Sequence, residues 1–289
     1  MSKEKIKVKL ICKHRCIIGE GPIWNENENI LYFTNARGNE ICMLDVYTGD
    51  LKVRPVEVGV AAFAFTKDNR LIVSRSDGVI ILNEDDTTQK LYDTEKNKIQ
   101  FANDMKIGPD NRIYVGTQSG KRIGVSSEID GKLYSIDKDG NVRILLDNLI
   151  LSNGLEWSMD EKYFYHTDSD TKIIKEYAFD KATGDIEFTG RSVQVDGVDG
   201  FTVDGDDNIL AACWGKGHIA VVDTDEFKIK SYMDVPANIP ASCAFAGKNM
   251  ELLAVVTASY HADINKDPNA GYAFIHKPET YGRKPYLFG

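Results

Sequence analysis

Glu20, Asn103, Asn153 and Asp199 are four oxygen-bearing side chains at a recurring offset. Each stands ten residues before a short β-type run, the runs starting at Ile30, Ile113, Tyr163 and Ile209. Two further runs, from Leu71 and Leu252, put Ala61 and Ser242 at the same offset. If one element repeats, the six positions share one height around one axis. Two carboxylates and two amide oxygens then make a hard-oxygen cage, suited to Ca2+ or, less selectively, Mg2+ or Mn2+. No His or Cys occupies these positions, which counts against a dedicated Zn2+ site there. Ser242 lacks a G-x-S-x-G elbow around it and is not read as a nucleophile.

The elements that must position these side chains are visible as repeats. Six segments pair a polar turn rich in Asp, Asn and Gly with a short apolar run: NENENILYFTN (25–35), KDNRLIVSR (67–75), GPDNRIYVGT (108–117), MDEKYFYHTD (159–168), GDDNILAAC (205–213) and GKNMELLAVVT (247–257). Their runs start 41, 42, 50, 46 and 43 residues apart, so six units fill the chain. Before each run lies a Gly- or Ala-rich strand, such as GVAAFAF (59–65) or VDGFTVD (198–204). After it come a second apolar strand, a turn and a further strand. Four short strands per unit, without a long 3.6-residue period, read as propeller blades. The expected fold is all-β, a six-bladed β-propeller with four antiparallel strands per blade, residues 1–289 forming a single domain. Small residues mark the inner strand, where six sheets crowd together.

Composition narrows the partners. Lys plus Arg number 35 against 44 Asp plus Glu, a net charge of −9, which argues against a nucleic-acid backbone binder. The opening MSKEKIKVKL is charged throughout and lacks the apolar stretch of a secretory signal. No apolar run approaches the roughly 18 residues of a membrane span. A cytoplasmic protein without nucleic-acid or membrane partners is expected, as a monomer or weak homodimer. Cys12, Cys16, Cys42, Cys213 and Cys243 are scattered. The C-x3-C pair Cys12 and Cys16 has no matching Cys or His pair, so these read as structural thiols. Trp24 and Trp157 end inner strands at equivalent positions and read as core. His166, His218, His261 and His276 read as surface or internally satisfied. Asp104 points to the opposite strand face from Asn103 by period two and reads as a tie between blades. Asp168 and Asp170 read as turn residues.

The motifs IGEGPIW (18–24), FANDMKIGPDNRIYVGT (101–117), LSNGLEWSMDEKYFYHTDSD (151–170), GVDGFTVDGDDNILAACWGKGHI (197–219) and ASCAFAGKN (241–249) resemble the SMP-30/gluconolactonase/luciferin-regenerating-enzyme, or regucalcin-like, family. The likeness runs from about Gly19 to the terminal PYLFG. It implies one divalent metal in the channel, held by Glu20, Asn153 and Asp199, with Asn103 touching metal-bound water and substrate. Ca2+ is the first choice of ion, with Mg2+, Mn2+ or Zn2+ as alternatives. Sugar-lactone-hydrolysing members often carry Arg two residues before that Asn; this chain has Phe101. Residues 118–131, QSGKRIGVSSEIDG, correspond to the family's lid and offer Lys121 or Arg122 to the substrate.

The chemistry so implied is hydrolysis of a cyclic ester, the metal polarising the lactone carbonyl and a carboxylate activating water. Asp199 is the first choice of base and Glu20 the second. Trp214 either stacks on a ligand ring or packs. The rival readings are a non-catalytic calcium-binding protein and a hydrolase of aryl esters or phosphotriesters at the same site.

Overall fold

The structure, a computed structural model, describes residues 8–289. Residues 1–7 of the charged opening segment lie outside the described residues. The chain forms, in order, β1 (Lys9–Cys12), then β2 (Gly19–Asn25), β3 (Ile30–Asn35), β4 (Glu40–Leu44) and β5 (Leu51–Pro55). Next come β6 (Val60–Phe65), β7 (Leu71–Arg75), β8 (Gly78–Leu82), β9 (Thr88–Lys90), β10 (Ala102–Ile107) and β11 (Ile113–Thr117). One helical turn, α1 (Gly120–Ile123), precedes β12 (Gly131–Ile136), β13 (Val142–Leu149), β14 (Ser152–Trp157), β15 (Tyr163–Asp168), β16 (Ile173–Asp180) and β17 (Asp185–Gln194). The chain ends with β18 (Val198–Val203), β19 (Ile209–Cys213), β20 (His218–Asp223), β21 (Lys228–Asp234), β22 (Pro240–Ala246), β23 (Leu252–Thr257) and β24 (Ala273–His276).

These strands make six four-stranded antiparallel sheets arranged as a six-bladed β-propeller. Five sheets use four consecutive strands; the last takes β22, β23 and β24 and closes with β1 from the other end of the chain. The inner strands are β2, β6, β10, β14, β18 and β22, each starting its sheet's order beside the axis. The hairpin after each inner strand needs one left-handed residue just before the second strand. Asn29 (φ 56°), Asn69 (65°), Asn111 (63°) and Asp207 (62°) supply it with tolerant side chains.

The core lies between neighbouring sheets. Trp157 is fully buried and meets Tyr114 edge-on with ring centroids 4.8 Å apart; Trp24 is buried too. All five cysteines are free and buried. His166 is buried and satisfied, its Nε2 2.7 Å from Ser152 Oγ. Among the described residues, no helix is long and apolar enough to cross a membrane.

Candidate active site in the central channel

Every inner strand carries an irregularity in pairing register at the same level: Glu20/Ile23, Val60/Ala62, Ala102/Met105, Asn153/Leu155, Val198/Phe201 and Pro240/Ser242. In each, the inner strand has one residue more than its partner, the signature of a β-bulge, which bends a strand and re-aims a side chain. Glycine makes the tight geometry possible at two of them. A Cβ on Gly154 would stand 2.6 Å from the Asp199 carbonyl oxygen, and one on Gly21 (φ 53°) 2.8 Å from Ala62 Cα. The bulges therefore sit where Glu20, Asn103, Asn153 and Asp199 leave the strands.

These four side chains line one cavity of about 600 Å³, together with Ala61. Ser242 does not join them. It lines a separate cavity with Asp104, Lys106 and Glu156, and the pairing register gives the sixth equivalent position to Ala241. The hairpin is of ordinary length, Ala246 pairing with Leu252 six residues on as Val203 does with Ile209. The slip comes from the ladder, which runs one pair farther before the bulge, to Ser242–Val256, where the second sheet reaches only Ala62–Ser74. A count of ten back from Leu252 therefore falls one residue short. Asp104 does face away from Asn103, but its carboxylate accepts the N–H of its neighbour Met105 at 2.8 Å, not one from another blade.

The Asn153 amide donates to an Asp199 carboxylate oxygen, while its own oxygen accepts the Gly154 N–H at 3.1 Å and keeps a second lone pair. Asn103 donates to the Ser152 carbonyl at 3.1 Å and accepts from Gln118 Nε2 at 3.4 Å. Glu20 accepts the Gly21 N–H at 3.2 Å. Neither Glu20 nor Asp199 forms an ion pair with a Lys or Arg among the described residues. Burial, then the charges of Asp199 and Asp104, hold Glu20 well above the usual carboxylate range. Burial and the charge of Asp104 push Asp199 up to about 8. Buried Asp199 and half-buried Glu20, neither of them ion-paired, form with an amide oxygen beside them a donor set that fits a hard divalent cation.

Around these groups the cavity wall is mixed. Phe101 lines it in a left-handed conformation (φ 56°), unusual for a bulky aromatic side chain. Trp214 lines it as well. Of the two lid candidates, both exposed, Arg122 lines the cavity and lies 3.7 Å from Asp170, whereas Lys121 does not line it. Adjacent residues on a helical turn do not share a face, so α1 can present only one of them. Ser119 caps α1 by accepting the Arg122 N–H. Asp170 thus belongs to the cavity and is more than a turn residue. Three features were not read from the sequence. Arg37 lies over the Tyr260 ring at 4.4 Å at the cavity wall. Gln118 braces Asn103. Ser169 lines the cavity with its hydroxyl buried and without a hydrogen-bond partner. A second offset could have found two of them: Gln118, like Ser76 and Trp214, stands five residues after the start of its run, and Arg37, like Asp170, seven.

A family model described as the SMP-30/Gluconolactonase/LRE-like region matches residues 18–259. Regucalcin from Gallus gallus is 28% identical, with 98% of each chain covered. A calcium-binding protein, regucalcin, from Agrobacterium tumefaciens has a similar structure, with a TM-score of 0.87, 23% identity, and 99% of this chain and 98% of that one covered. A gluconolactonase from Xanthomonas campestris superposes with a TM-score of 0.76 at 18% identity, covering 94% of this chain and 90% of that one. The repeated strands, the bulged channel and the match across most of the chain agree, and the chain belongs to the SMP-30/gluconolactonase/LRE-like family.

Proposed function

We propose that the channel site hydrolyses a lactone or a related small cyclic ester with one divalent cation bound by Glu20, Asn153 and Asp199. The observation that carries this is the pair of carboxylates, Glu20 and Asp199, that share one cavity and have no ion-pair partner among the described residues. The name of the family and that of its Xanthomonas campestris neighbour favour the lactone class. Ca2+ is the ion the all-oxygen donor set favours, ahead of Mg2+, Mn2+ and Zn2+. When bound, the cation supplies Lewis acidity toward the ester carbonyl.

The chain's own residues do the rest. Asp199 accepts a proton from the attacking water and returns it to the ring oxygen as the acyl C–O bond breaks, leaving a hydroxy acid. Glu20 is the alternative base. Asn103, braced by Gln118, orients water or substrate. Phe101 and Trp214 offer apolar surface to the substrate ring, and Arg122 reaches it from α1. A second reading, a calcium-binding protein without catalysis, is favoured by the names of the regucalcin relatives.

Metal-stripped protein should be assayed on a panel of lactones, aryl esters and a phosphotriester, before and after adding Ca2+, Mg2+, Mn2+ or Zn2+. Metal-restored turnover of a lactone supports the proposal. Metal binding without turnover of any ester supports the second reading.

A further inference from the structure

A second ligand set lies at the seam of the ring, away from the channel. The segment between β1 and β2 carries His14 and Cys16, and β4 of the first sheet carries Cys42. One ligand atom from each of these three side chains lies within 4.8 Å of the other two. Cys16 and Cys42 are buried, whereas the His14 side chain keeps 28% of its surface exposed, leaving an entry path. His14 Nε2 is 2.8 Å from Glu40 Oε2, and Glu40 is held in turn by Asn35 Nδ2 at 2.8 Å. The Glu40 contact leaves Nδ1 as the ring nitrogen available to a ligand. A carboxylate bonded to the far nitrogen of a ligating imidazole is the usual outer shell of a zinc site. The thiol of Cys12 is adjacent, accepting the His14 backbone N–H at 3.4 Å.

We propose that Cys16, Cys42 and His14 bind a borderline-soft divalent cation, Zn2+ by its chemistry, with a solvent molecule completing the shell on the exposed His14 side. Thiolate and imidazole suit Zn2+, whereas the all-oxygen channel site suits a hard cation. Tetrahedral zinc separates neighbouring ligand atoms by roughly 3.5–3.8 Å. The three side chains therefore close on the ion by no more than about 1.3 Å. Cys16 and Cys42 release their thiol protons to solvent as the ion binds. The ion would tie the connection leaving β1 to the first sheet, at the point where the ring closes.

The test is a Co2+ titration of reduced protein whose channel is saturated with Ca2+, read by the thiolate-to-cobalt charge-transfer band, alongside zinc analysis and a thiol count. One equivalent of Co2+ should raise the band, and Zn2+ should displace it. Cys42→Ser should abolish the band, and Glu40→Gln should weaken zinc affinity about tenfold to a hundredfold. His14→Ala, at a partly exposed position, should alter the band's intensity and serves if Cys42→Ser does not fold. Asp199→Asn should leave the band unchanged, which separates this site from the channel. No band in the wild type, a band indifferent to His14→Ala, or a Cys16–Cys42 disulfide in protein kept reduced with zinc present would overturn the proposal.

Discussion

The side-chain amide of Asn153 donates to the carboxylate of Asp199, joining the inner strands of two neighbouring sheets across 46 residues of sequence. The bond fixes Asp199 in place while leaving its second oxygen to the cavity. Asp199→Asn keeps an oxygen at that position but removes the basic lone pairs. Its kcat on the best lactone should fall by about 10²–10⁴, while added Ca2+ should still raise the melting temperature. Equal kcat in wild type and variant, both at saturating metal, would remove Asp199 as the base.

Phe101 should turn specificity away from polyhydroxylated lactones. A phenyl ring offers no donor, and a hydroxyl buried without a partner costs about 1–3 kcal/mol. Phe101→Arg is therefore expected to raise kcat/KM for gluconolactone, relative to a lactone lacking hydroxyls, by about tenfold to a hundredfold. A ratio that does not move would show that the side chain at this position does not read hydroxyls.

Arg122 and Lys121 should behave differently despite their adjacency. Arg122→Ala removes the cavity guanidinium and its contact with Asp170, so KM for hydroxylated or anionic lactones should rise about tenfold. Lys121→Ala should leave KM within a factor of about two. Equal effects of the two substitutions would contradict the placement of α1.

Ser169 keeps a buried hydroxyl without a partner, a cost of about 1–3 kcal/mol to the substrate-free protein. Ser169→Ala should therefore raise stability in urea denaturation by about 1 kcal/mol and raise KM at the same time. A stability loss together with unchanged KM would show that the hydroxyl is satisfied and does not meet the substrate.

His166 sets a pH dependence of stability. Burial and the charge of Lys175 hold its pKa down at about 3, so it is neutral in the folded protein, while in the unfolded chain it titrates near 6.5. Between those values the unfolded chain binds the extra proton, so this contribution is full above about pH 6.5. It is lost as pH falls toward 3, a loss on the order of 4 kcal/mol. Glu20 and Asp199, raised by burial, act in the opposite direction in metal-free protein. Comparing wild type with His166→Gln across pH 4–8 isolates the histidine. The variant should lose the acid-side slope, and parallel curves would refute the assignment.

The repeat was legible because its turns are chemical. Asn29, Asn69, Asn111 and Asp207 are residues that tolerate a left-handed backbone, and they announce their hairpins. Glu161 (φ 61°) and Met250 (φ 54°) hold the same conformation without that tolerance, so packing imposes it on them. The four channel residues could be found because they recur at one offset. The bulges beneath them could not, since an extra residue leaves no mark on a pattern of small side chains, and one more ladder pair before the last bulge put Ser242 at the count that belongs to Ala241. Tyr260 and Ser169 converge only after closure, from loops whose lengths vary between blades.

The pairing of β1 with β24 has a consequence for synthesis of the chain. Ala273 follows Cys12 by 261 residues, so β1 leaves the ribosome roughly 13–50 s before its partner exists. Throughout that interval the nascent chain is an open arc, with the flanks of its outermost sheets uncovered. A ribosome stalled before β24 should display a protease-sensitive first strand, and the release of a few dozen more residues should protect it abruptly.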